Sequence, residues 1–276
     1  MRRMLFLSVT VLYILLIGSL VVSVEASSPT WTQTYGETGT DIARSLIVTS
    51  DGGYAIAGYT SSFGAGNYDF WVVKTDANGT MQWNQTYGET TYEVGYSIVK
   101  TSDEGYAVAG YTGYTDSLEG EKYDFWLVKI DWSGTMLWNQ TYGGEGDDRV
   151  DSLVATSDGG FILAGVKDLV RDPFDSHPTG GNFWLVKTDS AGNMEWNQTY
   201  GGTGADSAHS LVETDEGGYT IAGETSSFGA GGSDFWLVKT DETGYVPEYS
   251  SWLIPSLLLV AVSAVLIYKK QQKHAY

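Results

Sequence analysis

The 276-residue chain has no cysteine, five prolines, three histidines and only 15 lysines and arginines. Without cysteine no disulfide can staple the fold, so core packing or a bound metal must hold it. Fifteen bases against 34 acids give a formal net charge of −19. That excludes the basic footprint of nucleic-acid binders, so no nucleic-acid partner is expected. The acid excess suits solubility, cation binding or a salty medium. Of the three histidines, His274 is near the C-terminus and His209 stands alone in a strand-like run. Nucleophilic or metal chemistry therefore has little to work with. Between the two terminal apolar runs, no window keeps a helical period.

What the chain has is repetition. The stretch beginning at Trp31 recurs in edited form from Trp83, Trp138 and Trp196, at spacings of 52, 55 and 58 residues. A period near fifty points to solenoids, propellers or arrays, and chemistry should sit where the copies differ. In the first copy, Ser45–Thr49 is rich in β-branched residues, and Asp51-Gly52-Gly53 makes a turn. Tyr54–Tyr59 follows with small residues at alternate positions, which suits a strand crowded by neighbouring backbone. After a Gly/Ser loop, Asp69–Lys74 is apolar on both faces and should be buried on both. Asp76–Gly79 turns again, and Met81–Tyr87 alternates as a last strand. The spacing predicts an all-β fold: a β-propeller of four four-stranded blades. A solenoid needs polar capping repeats, and none is evident. The fourth copy stops at Asp241–Gly244 without its Trp strand, while Trp31–Tyr35 is an orphan strand of that type. Pairing the two predicts a ring closed by the N-terminal strand within one chain; the rival is two chains pairing into an eight-bladed ring.

The segments KTDANGTMQW, KIDWSGTMLW and KTDSAGNMEW resemble the Asp-x-x-Gly-x-x-x-Trp element of quinoprotein-like propellers. Over residues 31–244 the whole repeat looks more like those of archaeal cell-surface propeller proteins. That resemblance implies an anchored surface protein with no established reaction, ending in a short Pro-Glu segment (here Val246–Tyr249), a membrane helix and a basic tail. The quinone cofactor is not carried over, because those enzymes need more blades than four repeats supply.

The domain reading is a signal peptide over 1–26, a four-repeat propeller over 27–245 and a linker over 246–251. A transmembrane helix follows over 252–268, then a cytoplasmic basic tail over 269–276. The part between the two apolar runs carries 10 bases and 33 acids, a charge of −23. With Lys269, Lys270 and Lys273 after the helix, this places the propeller outside a single-pass cell membrane.

Among candidate sites, Asp51, Asp103, Asp158 and Asp215 sit in glycine turns. They are either calcium ligands or acceptors for their own turn's N–H groups. Asp76, Asp131, Asp189 and Asp241 form a second such set. Asp41, Glu93, Asp148 and Asp206 each precede a serine by four residues, either bonded within a blade or ringing a channel mouth. Trp71, Trp126, Trp184 and Trp236 read as core. Tyr87, Tyr142 and Tyr200 end strands and are candidates for a sugar-stacking rim. The irregular loop 166–181 of the third copy carries Arg171, Asp172, Asp175 and His177, which have no counterparts elsewhere and form a candidate ligand site. Asn78, Asn84, Asn139 and Asn197 are N-glycosylation acceptors by pattern.

The resulting expectation is a membrane-anchored extracellular propeller, noncatalytic, with a polysaccharide or surface-protein partner and calcium as the candidate cation. The alternative is an extracellular glycan hydrolase using paired carboxylates.

Overall fold

A computed structural model describes residues 30–116, 120–171 and 178–246 of the chain. The expected signal peptide, membrane helix and basic tail lie outside these residues, as does all of the linker but Val246. The chain divides into a unit of Met1–Thr32 and a unit of Gln33–Tyr276. Of the first, only residues 30–32 are described, and they have no regular structure. Among the described residues no helix is long and apolar enough to cross a membrane.

The second unit is all-β, as expected. Its first sheet contains β1 (Asp41–Val48), β2 (Tyr54–Thr60), β3 (Asp69–Thr75) and β4 (Met81–Tyr87). The second contains β5 (Glu93–Lys100), β6 (Tyr106–Asp116), β7 (Gly120–Ile130) and β8 (Met136–Tyr142). The third contains β9 (Asp147–Ala155), β10 (Phe161–Arg171), β11 (Pro178–Thr188) and β12 (Met194–Tyr200). The fourth contains β13 (Asp206–Glu213), β14 (Tyr219–Thr225) and β15 (Asp234–Lys239). Within each sheet the strands lie in chain order and pair antiparallel.

One expectation needs correction. The fourth sheet has three strands, and residues 30–40 form none, so the four-stranded last blade closed by Trp31–Tyr35 is not present. A strand can only pair with an edge within its reach. Tyr35 is held instead on the first sheet, where its hydroxyl donates to the Gly79 carbonyl at 2.5 Å, at the other end of the array from β15.

Turn chemistry explains the strand boundaries. After β1, the Asp51 carboxylate accepts the Gly53 N–H at 3.1 Å and the Thr49 hydroxyl at 2.5 Å, and Gly52 takes φ 79°. After β3, Asp76 accepts the N–H groups of Asn78 and Thr80 at 2.8 Å each, and Gly79 takes φ 78°. Aspartate and glycine are therefore required together, one for the turn's donors and one for its dihedral.

Successive sheets stack through one contact pattern. Phe70 packs on Trp126, Phe125 on Trp184 and Phe183 on Trp236, with ring centroids 4.6, 4.6 and 4.5 Å apart. Each pair sits inside one of three apolar clusters, one per seam between sheets. This is why the third strand is apolar on both faces: Phe70 points towards the next sheet and Trp71 away from it, and all seven residues of β3 are buried. The last strand grips the next sheet's turn. Tyr87 donates to the Gly134 carbonyl at 2.6 Å and Tyr142 to the Gly192 carbonyl at 2.7 Å. A side chain on Gly134 would meet Trp83 at 2.9 Å, and one on Gly192 would meet Trp138 at 2.6 Å. The Asp-x-x-Gly-x-x-x-Trp element thus spans a seam: its glycine receives the previous sheet's Trp and Tyr.

Replacing Tyr142 with Phe keeps the ring and removes the donor to a buried carbonyl. Stability in urea is expected to fall by about 1–3 kcal/mol. An unchanged unfolding midpoint would show that the hydroxyl contributes nothing to the seam.

Candidate functional site

The first strands of the four sheets lie beside one another, and each contains a bulge at the same place. The register of β1 on β2 slips between Ala43 and Ser45, leaving Arg44 without a partner residue. The slips in the other sheets leave Tyr96, Asp151 and His209. A bulge bends the strand and re-aims the extra side chain, and bulges gather beside functional sites. The local sequence demands it. In each sheet the carbonyl two residues before the bulge residue presses on a glycine of the second strand. A Cβ on Gly58 would lie 1.9 Å from the Ile42 oxygen, and one on Gly110 would lie 1.9 Å from the Val94 oxygen. Only glycine fits there.

The bulge residues differ in every copy. The carboxylate before and the serine after recur in all four copies, but between them stand a cation, a phenol, an acid and an imidazole. They meet across the seams. The Arg44 guanidinium lies 5.2 Å from the Tyr96 ring centre and 5.5 Å from that of Tyr59, within cation–π range. Tyr96 neighbours Tyr111 at 5.8 Å, and Arg149 lies 4.8 Å from Tyr111 and 4.5 Å from Tyr123. Further along, His209 Nδ1 is 2.8 Å from Asp151 Oδ2 and its Nε2 is 3.8 Å from Glu224 Oε1. The Asp151 hydrogen bond, with the charges of Asp151 and Glu224, raises the His209 pKa against the lowering effect of burial. Arg44 and His209 are exposed, Tyr96 and Asp151 half-buried. A cleft of about 550 Å³ lies at the fourth-sheet end of the row, lined by Ser207, Glu224, Ser226 and Ser233.

This row was missed in the sequence, where His209 read as solitary. Two signals pointed to it: a glycine at the same place in every second strand, and four chemically different residues between two repeated ones.

The other candidates fall into place around the row. The acids preceding the bulge bond within their own sheets. Asp206 accepts the Gly202 N–H at 2.9 Å and the hydroxyls of Thr225 and Ser227, and Asp148 accepts the N–H groups of Gly144 and Asp168 at 3.0 and 2.8 Å. Burial first, then the charges of Asp168 and Asp124, push the Asp148 pKa up to about 6. Burial also raises Glu93, helped by the Asp69 charge. These two carboxylates crowd Gly88, and both are buried.

Asp51, Asp103 and Asp158 each bind a buried lysine of their own sheet, Lys74, Lys129 and Lys187, at 2.8, 2.9 and 2.7 Å. In the fourth sheet Glu216, beside Asp215, takes Lys239 at 2.8 Å. Burial raises the pKa of Asp103 and of Asp158, but the threonine hydroxyl, the lysine and the turn N–H outweigh it and hold each at about 2. Among the described residues no three His, Cys, Asp or Glu side chains gather where they could hold a metal ion.

The expected sugar-stacking rim needs correction. Tyr87 and Tyr142 are buried, and all three hydroxyls, including that of Tyr200, donate to glycine carbonyls of the next sheet. All three hold seams together, and Tyr87 and Tyr142 offer no open face, while Tyr200 is half-buried. Asn84, Asn139 and Asn197 are exposed on the last strands, and each accepts a Trp indole N–H at 3.1 Å, from Trp71, Trp126 and Trp184. Asn78 is exposed in its turn. Arg171 ends β10, while Asp172, Asp175 and His177 lie outside the described residues.

No family model matches the chain, and no curated protein matches it.

These groups set opposite pH slopes. Asp103 and Asp158, held below their unfolded value, add stability above about pH 4 that is lost as pH falls towards 2. Asp148, held above its unfolded value, binds its proton more tightly when folded, so stability is lost as pH rises from about 4 through 6. His209 extends that decline above 6.5. A melting-temperature maximum is expected at about pH 4–5. In Asp148→Asn the decline between pH 5 and 7 should flatten; an identical decline would remove Asp148 as its source.

Proposed function

We propose that the chain is a noncatalytic binding protein of a cell surface, outside a membrane it spans once through residues 252–268. Its four sheets are blades of a β-propeller. The ligand is a polysaccharide lying along the bulge row, and the surface-protein partner is the competing occupant. The observation that carries the reading is the row itself: each of the four copies is bulged at the same place, and a different kind of side chain stands at each bulge. Tyrosine faces with an arginine at one end and a histidine between two carboxylates at the other suit stacking and hydrogen bonding to sugar rings. Hydrolysis is disfavoured. The carboxylates that crowd together at Gly88, Asp69 and Glu93, are buried away from any substrate, and both nitrogens of His209 face carboxylates of the protein itself.

A glycan array on the full-length protein in detergent tests this. Arg44→Ala and His209→Ala are expected to weaken binding of the array hit at least about tenfold, the loss of one charged contact, with the melting temperature nearly unchanged. Binding that survives both substitutions but is lost when residues 168–179 are exchanged for the first copy's TSSFGAG loop would move the site to Arg171, Asp172, Asp175 and His177. An array without any hit would remove the polysaccharide.

A further inference from the structure

The seams explain three junctions with one pattern, and the two ends of the array are the halves of a fourth. Phe70, Phe125 and Phe183 are each 0% exposed, whereas their counterpart Phe235 is 104% exposed. Val72, Leu127 and Leu185 are 0% exposed, and their counterpart Leu237 is 69% exposed. At the opposite end, Ile98, Leu153 and Leu211 are 2–4% exposed, and their counterpart Leu46 is 57% exposed. The same positions are core at three seams and bare at the ends. Exposure on this scale, contiguous and apolar, marks an interaction surface.

The first sheet also keeps an empty seat of the right kind. In the second sheet the Phe70 ring lies against Gly95, Gly110 and Trp126. The matching residues of the first sheet are Ala43, Gly58 and Trp71. They line a cleft of about 320 Å³ together with Ile42 and Val73. The tyrosine half of the junction is already made, since Tyr35 holds Gly79 as Tyr87 holds Gly134. What is missing is the phenylalanine of a preceding sheet: Phe63 of the first sheet's own loop lies 5.4 Å from Trp71, just as Phe228 lies 5.2 Å from Trp236 in addition to Phe183.

We propose that a second copy of this chain supplies it: Phe235 of each copy enters the Ala43–Gly58–Trp71 seat of the other, and two equal junctions close one ring of eight sheets. The occupant is a second copy because the same seam, applied three times, carries the chain from the first sheet to the fourth without bringing the bare faces together. Four more sheets continue the turn, and one further copy contains four. A head-to-tail contact of this kind closes a ring if its rotation allows and otherwise builds a filament. The inference is independent of the ligand and goes beyond the binding role.

The chain has no cysteine, so introduced pairs report without background. In the second sheet a Cβ on Gly95 would lie 3.5 Å from the Phe70 ring, which makes Ala43 the matching partner for Phe235. Full-length Phe235→Cys and Ala43→Cys chains with different tags are co-expressed, oxidised and separated without reductant. Phe70→Cys with Gly95→Cys in one chain is the positive control for an internal seam. A disulfide-linked pair carrying both tags is expected, and the chain bearing both Phe235→Cys and Ala43→Cys should run at twice the chain mass. Double-variant chains that close on themselves at single-chain mass would overturn the proposal in favour of a four-sheet ring. A ladder of larger multimers would overturn it in favour of a filament. No disulfide where the control forms one would show that these faces do not meet. None of these outcomes depends on the array, so failure here and failure of the binding role are told apart.

Discussion

Each of the first three sheets places one phenylalanine ring against a tryptophan of the next sheet, and most other features follow from that contact. The contact requires glycine in the second strand, where a side chain would strike both the ring and the bulge carbonyl before it. It also requires the third strand to be apolar on both faces, since Phe and Trp point opposite ways and serve two different seams. Aromatic pairs of this tilted geometry contribute about 0.5–1.5 kcal/mol beyond the area they bury, and the buried rings dominate each cluster. Without cysteine or clustered metal ligands among the described residues, packing of this kind has to hold the sheets together.

The polar residues fit around the same constraint. Lysines that would otherwise be buried without a partner, such as Lys129, are neutralised by the aspartate that also builds the neighbouring turn. That pairing avoids the cost of an uncompensated buried charge. Three of the four acids ahead of the bulges, Glu93, Asp148 and Asp206, are buried and hydrogen-bonded, so they tie the loops to the sheets. Repeated carboxylates on this chain are therefore mostly architecture. The unrepeated side chains at the bulges are the ones architecture does not dictate.

Much of this could be read from the chain. Strand positions followed from alternation and from the Asp–Gly turns, because a turn's hydrogen bonds and positive φ are local and leave a local signature. The burial of Trp71, Trp126 and Trp184 followed from a strand apolar on both faces. What faces what is not local. Tyr87 and Tyr142 looked like a rim because they end strands, yet the next sheet's turn covers them. His209 looked solitary because Asp151, its partner, lies 58 residues away on another sheet. The repeat period announced a chain of similar units. Whether four such units return to their start depends on the angle between sheets, which no single residue encodes, and so closure within one chain was expected where the structure leaves both ends bare.

The central claim is that the Phe–Trp contact holds each sheet on the next. A double-mutant cycle on Phe125 and Trp184, with each replaced by leucine singly and together and stability measured by urea unfolding, tests it most directly. The account predicts a coupling energy of about 0.5–1.5 kcal/mol between the two rings. Additive losses, with no coupling, would contradict it and leave the seams to general apolar burial.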